Sequence, residues 1–219
     1  MFFIEILYIW SRTYYWFQKM KIELPQVTLI CLTNQKFEDH KKMIDDSCKN
    51  INFGAVKIIW DEKCNSIEKW NEKIIYDLPK YIDTSHALLM HADSQIIHPE
   101  LWDNEWLKYD WCSSPWPLPT DSYSYRSESG KIQRVGNSVG LRSKKLMDLI
   151  ATKPEKEFWA IKEKYGNCNE DGWICCHNRE WLESQGCTFM PFEEALHFGR
   201  EHILPENKYI KTFLFHSII

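Results

Sequence analysis

What most limits the fold of this chain is one alternation. From residue 24, three runs of β-branched and aliphatic residues, PQVTLICLTN, AVKIIWD and HALLMHAD, are separated by two charged stretches. Residues 36–49 and the segment SIEKWNEKIIYDLPKYI read as helices, the second with Ser66 as N-cap and Pro79 near its end. Strand, helix, strand, helix, strand is the pattern of a parallel sheet with crossover helices, because parallel neighbours need a long connection. Each apolar run stops on polar residues: Thr33 and Asn34, then Asp61, then Asp93.

Those stopping points matter, since open α/β sheets bind ligands beyond the carboxyl ends of their strands. A carboxylate there is placed to hold a divalent cation, and Mg²⁺ or Mn²⁺ prefers oxygen ligands. The plainer role for Asp93 is to cap the turn after its strand. No Gly-x-Gly-x-x-Gly follows the first run and no Walker lysine loop occurs, which argues against a dinucleotide dehydrogenase and a P-loop enzyme.

With 219 residues and 44% hydrophobic content, the chain suffices for one substantial globular domain. Its 11 Trp suit either carbohydrate stacking or a core, and core filling is the commoner use. A net charge of −4 without a Lys/Arg block excludes a nucleic-acid surface, so a phosphate-bearing ligand needs help from a metal or backbone amides. The eight Cys form no C-x-x-C pair and no Asn-x-Ser/Thr sequon occurs; reduced thiols in a cytoplasmic compartment are expected.

Ahead of this domain, Phe3, Ile6, Leu7, Trp10, Tyr14 and Phe17 recur at helical spacing. Glu5, Arg12 and Gln18 interrupt the stripe, so it is a poor membrane span, and it lacks the start and cleavage site of a signal peptide. An amphipathic helix within residues 1–23 is expected. Packing against protein, within the chain or in a homo-oligomer, is the preferred role; peripheral contact with a membrane through residues 1–20 is the other.

Six segments in order, WNEKI, LLMHADSQI, YDWCSSPW, RVGNSVGLRS, NEDGWIC and FHS, resemble a domain-of-unknown-function family of glycosyltransferase-like proteins of the GT-A type. The resemblance spans roughly residues 26 to 217. Members tend to have Tyr-Asn where this chain has Trp70-Asn71, and Gln-x-Asp-Ser or Gln-x-Asp-Gly where it has His91-Ala92-Asp93-Ser94. An Ala-Pro-Trp becomes Ser114-Pro115-Trp116. Their Gly-Asn-Gly-Gly-(Phe/Leu)-Ser-Leu-Arg-Ser becomes the shorter Gly136-Asn137-Ser138-Val139-Gly140-Leu141-Arg142-Ser143, with one glycine moved.

The resemblance implies a sugar-nucleotide donor, with Asp93 and His216 as ligands of a Mn²⁺ or Mg²⁺ cofactor on the diphosphate. It implies Asp171 as the base that takes a proton from the acceptor, and Glu170 as an acceptor ligand. Helix capping is the plainer role for both acids. Thr33, Asn34 and Asp61 at strand ends, and Asn71 on the following helix, are candidates to hold the donor nucleoside. Trp116 and Asn137, expected on loops, are candidates to meet the acceptor. DSYSYRSESGK reads as a mobile loop or hairpin that closes over the donor, with Arg126 or Lys131 near phosphate.

The expectation is therefore an α/β protein: a GT-A type single domain over residues 24–219, with a mostly parallel open sheet flanked by helices, after an N-terminal amphipathic helix. Its expected activity is metal-dependent, inverting transfer of a sugar from a nucleotide-diphosphate sugar to a glycan, protein or lipid acceptor. The rival is a catalytically inactive sugar-nucleotide or glycan-binding protein of the same fold. A nucleotidyltransferase would want a basic Gly-rich loop after the first strand, and LTNQKFED is not one.

Overall fold

The computed structural model describes residues 21–166 and 169–217. The N-terminal helix expected over residues 1–23 lies almost wholly outside them, and the first strand already begins at Ile22.

The expected alternation is present. β1 (Ile22–Thr33) leads through α1 (Phe37–Ser47) to β2 (Ile51–Trp60), then through α2 (Ile67–Tyr76) to β3 (His86–Leu89). β1 lies between β2 and β3 and pairs parallel with both. The Ser66 hydroxyl caps α2 by accepting from the Lys69 amide at 3.3 Å. α2 stops at Tyr76, and a 3₁₀ turn from Leu78 to Tyr81 carries Pro79, whose missing N–H suits a first turn.

After β3 the chain makes a short β4 (Ser94–Ile96), then returns with β5 (Trp111–Pro115) and β6 (Val135–Ser143). The central sheet has the order β2-β1-β3-β6-β5. β6 runs antiparallel to both β3 and β5, so four of the five strands point one way. The sheet is thus mixed, mostly parallel, with a single reversed strand inserted.

Both faces are covered where β1 runs from Val27 to Thr33 and along β3, and every residue there is buried. Successive β1 residues split between two cores: Ile30 and Leu32 face one, Leu29 and Cys31 the other. The first core is closed by Ile74 and Ile75 of α2, Leu146 of α3 (Lys144–Ile150) and Phe158 of α4 (Glu155–Tyr165). Beyond α4, a helical turn α5 (Glu170–Gly172) continues as a π-helical turn, Trp173–His177, and then α6 (Arg179–Ser184). The second core takes Met43 and Ile44 from α1, and Ala195 and Phe198 from α7 (Phe192–Phe198). No disulfide joins the described cysteines, and no described helix is long and apolar enough to cross a membrane.

A smaller sheet completes the molecule. β7 (Gly199–Arg200) and β8 (Leu214–His216) join β4 in the order β4-β8-β7. Antiparallel pairing of β4 with β8 sets Ser94 opposite His216. That register carries the end of the described chain back to the mouth of β3.

Candidate active site

Beyond the carboxyl ends of β1 and β3 opens a cleft of about 770 Å³. Thr33, Asn34 and Lys36 after β1, Ser66 and Trp70 of the α2 start, and Asp93 after β3 lie on its wall. The Thr33 hydroxyl is engaged in its own turn, donating to the Gln35 carbonyl at 2.6 Å. Two other expected donor contacts are not among the residues lining this cleft. Asp61 is ion-paired with Lys73, and its carboxylate accepts from the Lys63 amide at 2.9 Å. Asn71 follows Trp70 on α2 and so points about 100° away from it. It is buried, with its amide carbonyl accepting from the Glu170 N–H and its NH₂ donating to Asn169, both at 3.3 Å.

The strand β3 ends in a tightly held turn. The Ser94 hydroxyl accepts from the His91 N–H at 3.0 Å and donates to the His91 carbonyl at 2.6 Å. This turn presents His91 and Asp93 to the cleft, while β4–β8 pairing brings His216 alongside. His91, Asp93 and His216 each offer a ligand atom, all within 4.8 Å of one another. His216 Nε2 lies 3.6 Å from an Asp93 oxygen, and the two rings sit edge to face with centroids 5.1 Å apart.

The ionisation states follow from these contacts. The close imidazole of His216 outweighs partial burial and holds the Asp93 carboxyl down at about 2. Burial pulls the His216 imidazole down, but Asp93 and Glu201 overcome it and raise the ring to about 9. His91 is pushed down to about 3 by burial and then by the neighbouring His216. Behind His216, Nδ1 lies 3.3 Å from Glu201 and 3.1 Å from the Asn137 amide oxygen, and Asn137 donates to Glu201.

The residues fit a divalent cation: two imidazoles and an ionised carboxylate converge, and one imidazole is backed by a carboxylate and an amide, the arrangement that orients histidine ligands. Glu201 carried no sequence signal; GREH shows neither periodicity nor a motif.

A second acidic locus sits on α5, which packs against β6. Glu170 is 1% exposed and one of its oxygens has no partner. Burial pushes its carboxyl up, while Arg142 and Ser138 hold it back. Arg142, fully buried on β6, lies over the Trp111 ring at 4.4 Å and donates to the Ser138 carbonyl. Asp171 is half-buried, and its carboxylate accepts from the Gly172 N–H at 2.7 Å. Burial and then the adjacent Glu170 raise Asp171 to about 7. Ser138 ties the two loci together, its hydroxyl lying 3.2 Å from His91 Nε2 while also steadying Glu170. His91 and Ser138, two positions where the chain departs from the pattern it resembles, therefore touch.

The three residues expected at the acceptor are all buried. Glu170 lies deepest of the three, and its charge helps to raise Asp171. Trp116 is 4% exposed, with one face stacked on Tyr125 at 4.7 Å. Its ring lies so close to Gly136 that a Cβ there would stand 2.0 Å away, so this tryptophan is a packing residue. Asn137 lies inside β6 rather than on a loop, and is spent on His216, Glu201 and the Val139 amide. Residues 121–134 form a hairpin-like segment bridged between Arg126 and Ile132 and anchored by Ser127 on Glu180 at 2.6 Å. Arg126 donates to the Gly130 carbonyl at 3.2 Å within that segment.

Comparison with known proteins bears on the fold and the family. The fold is similar to a solved structure described as a glycosyltransferase involved in the glycosylation of the major capsid of PBCV-1. The TM-score is 0.54 and the identity 10%, covering 88% of this chain and 92% of that one. No curated protein matches the chain. A family model described as protein of unknown function (DUF5672) matches residues 61–216, from the end of β2 to His216, and the chain belongs to that family.

Proposed function

We propose that this protein transfers a sugar from a nucleotide-diphosphate sugar to a hydroxyl of a glycan, protein or lipid acceptor, with a divalent cation and with inversion. One observation carries the reading: His91, Asp93 and His216 converge at the strand-end mouth of a cleft whose volume suits a nucleotide sugar. The likeness to a solved glycosyltransferase supports it at the level of fold.

Asp93 and His216 are the side chains to hold Mn²⁺ or Mg²⁺, which when bound neutralises charge on the departing diphosphate. Thr33, Asn34 and Lys36 lie on the cleft wall and are the residues offered to the nucleoside in this reading. Asn137 and Glu201 fix the His216 ring from behind, leaving Nε2 toward Asp93. Asp171 is the base. The acceptor oxygen forms a bond to the anomeric carbon, the bond to the diphosphate oxygen breaks with its electron pair on the diphosphate, and the acceptor proton passes to Asp171. Attack opposite the leaving group inverts the sugar carbon. A carboxyl raised toward neutrality is the better proton acceptor near physiological pH, because base strength rises with pKa while the group still ionises.

The test is a panel of nucleotide-diphosphate sugars with and without Mn²⁺, following donor hydrolysis, which needs no known acceptor. Cleavage of a donor that requires the cation and stops on chelation is expected. Donor binding without cleavage, across a broad acceptor array, would identify a binding protein instead.

A further inference from the structure

We infer that His91 is a third cation ligand, and that the His91–Asp93–His216 set selects a transition-metal ion over Mg²⁺. The inference rests on the reading that Asp93 and His216 hold a cation, and adds which cation and by which further residue. The distances allow it. A tetrahedral ion with bonds of about 2.1 Å sets its ligand atoms about 3.4 Å apart. His216 Nε2 and Asp93 are already at 3.6 Å, and the His91 ligand atom belongs to the same group within 4.8 Å.

The His91 ring is held from several sides. Its edge-to-face contacts with Trp70 and His216 both have centroids 5.1 Å apart, and the Ser138 hydroxyl fixes Nε2 at 3.2 Å. A ring oriented by packing and one neutral hydrogen bond loses little freedom on binding an ion. The backbone of its turn is held as well, by the Ser94 hydroxyl.

The donor set then decides the metal. Mg²⁺ demands oxygen ligands in near-octahedral array and keeps several waters. Two imidazole nitrogens and one carboxylate suit Fe²⁺, Co²⁺, Ni²⁺ or Zn²⁺ better, and along the first row affinity rises from Mn²⁺ through Fe²⁺ and Co²⁺ to Ni²⁺. An oxygen-only reading of the strand-end acid misses this, because the second and third ligands come from His91 and from β8.

Titration calorimetry with the metal alone tests it, using Co²⁺, Mn²⁺ and Mg²⁺ with the wild type and with His91→Gln, which keeps a polar side chain without an imidazole. The wild type is expected to bind Co²⁺ far more tightly than Mg²⁺. His91→Gln is expected to lose at least about 10- to 100-fold in Co²⁺ affinity, which is what removing a partner behind a ligand costs, and to change Mg²⁺ affinity by less than about 3-fold. Equal Co²⁺ affinity in both proteins would overturn the inference while leaving the cation site standing. Absence of any cation binding in the wild type would overturn both. Pulsed electron spin resonance of the Mn²⁺-loaded wild type gives a readout independent of any variant: two coordinated imidazoles are expected, and one alone would remove His91.

Discussion

Asp93 and Asp171 carry the same side chain, and the two acidic loci treat it in opposite ways. Asp93 is more than half exposed and ion-paired with the His216 imidazole, which holds it down at about 2. Asp171 is packed beside a second, deeper carboxylate and rises to about 7. The first environment keeps a permanent charge, as a cation ligand needs; the second keeps a group that changes charge, as a proton acceptor needs. Glu201 belongs to both: it pairs with His216, and its charge helps to raise Asp171.

The sharpest way to break this division is Asp171→Asn. Donor and cation affinity are expected to stay near wild type while turnover falls by about 10²- to 10⁴-fold, the usual loss with a general base. Loss of donor affinity on the same scale as turnover would place Asp171 in binding instead. Next in size, Asp93→Ala is expected to abolish the gain in nucleotide affinity that Mn²⁺ confers, with little change in metal-free affinity. Paired nucleotide titrations with and without the cation read this out; metal-independent binding in the wild type would erase the distinction between the two aspartates.

Glu201→Gln probes the shared residue. Cation affinity is expected to fall by about 10-fold, since the carboxylate behind His216 is lost. The rising limb of turnover against pH is expected to move to lower pH, because one of the charges raising Asp171 is gone. Movement of one readout without the other would show that the two loci are independent.

The smallest effect lies in the stability of the metal-free protein against pH. Asp171 has a raised folded pKa, so the folded protein keeps a proton that the unfolded chain loses above its usual value near about 4. Stability is therefore expected to fall as pH rises from about 4 to about 7, and Asp171→Asn is expected to flatten that slope. His216 is also raised, so its contribution is complete below the usual histidine value near about 6.5 and is lost as pH rises through about 9. Denaturant titrations at stepped pH separate the two windows.

Much of the fold was legible because β3 and the second half of β1 are buried on both faces and so read as mostly apolar runs bounded by helical patterns. Ser66 and Pro79 marked α2 for reasons of hydrogen bonding that hold in any context. β6 was not legible. Gly136, Gly140 and Arg142 look like a loop, and only the Trp116 ring against Gly136 and the Trp111 ring beneath the Arg142 guanidinium make that composition suit a strand. The misplacement of Asn137 followed from that. Asp93 was legible because a lone acid ending an apolar strand is unusual. Glu201 was not, because its role depends on the pairing of β7 with β8, which no local pattern announces.

The register that sets Ser94 opposite His216 has a consequence for how the protein comes to be active. Everything on the cleft wall is delivered by the first half of the chain, yet the ligand set closes only when a strand from far downstream docks beside β4. An ion held by both sides would act as a staple across more than half of the polypeptide, tethering two segments whose separation makes their meeting entropically costly. With such an ion bound, a chelator would release the β4–β8 end of the molecule from this added tether while the central sheet kept its own pairing.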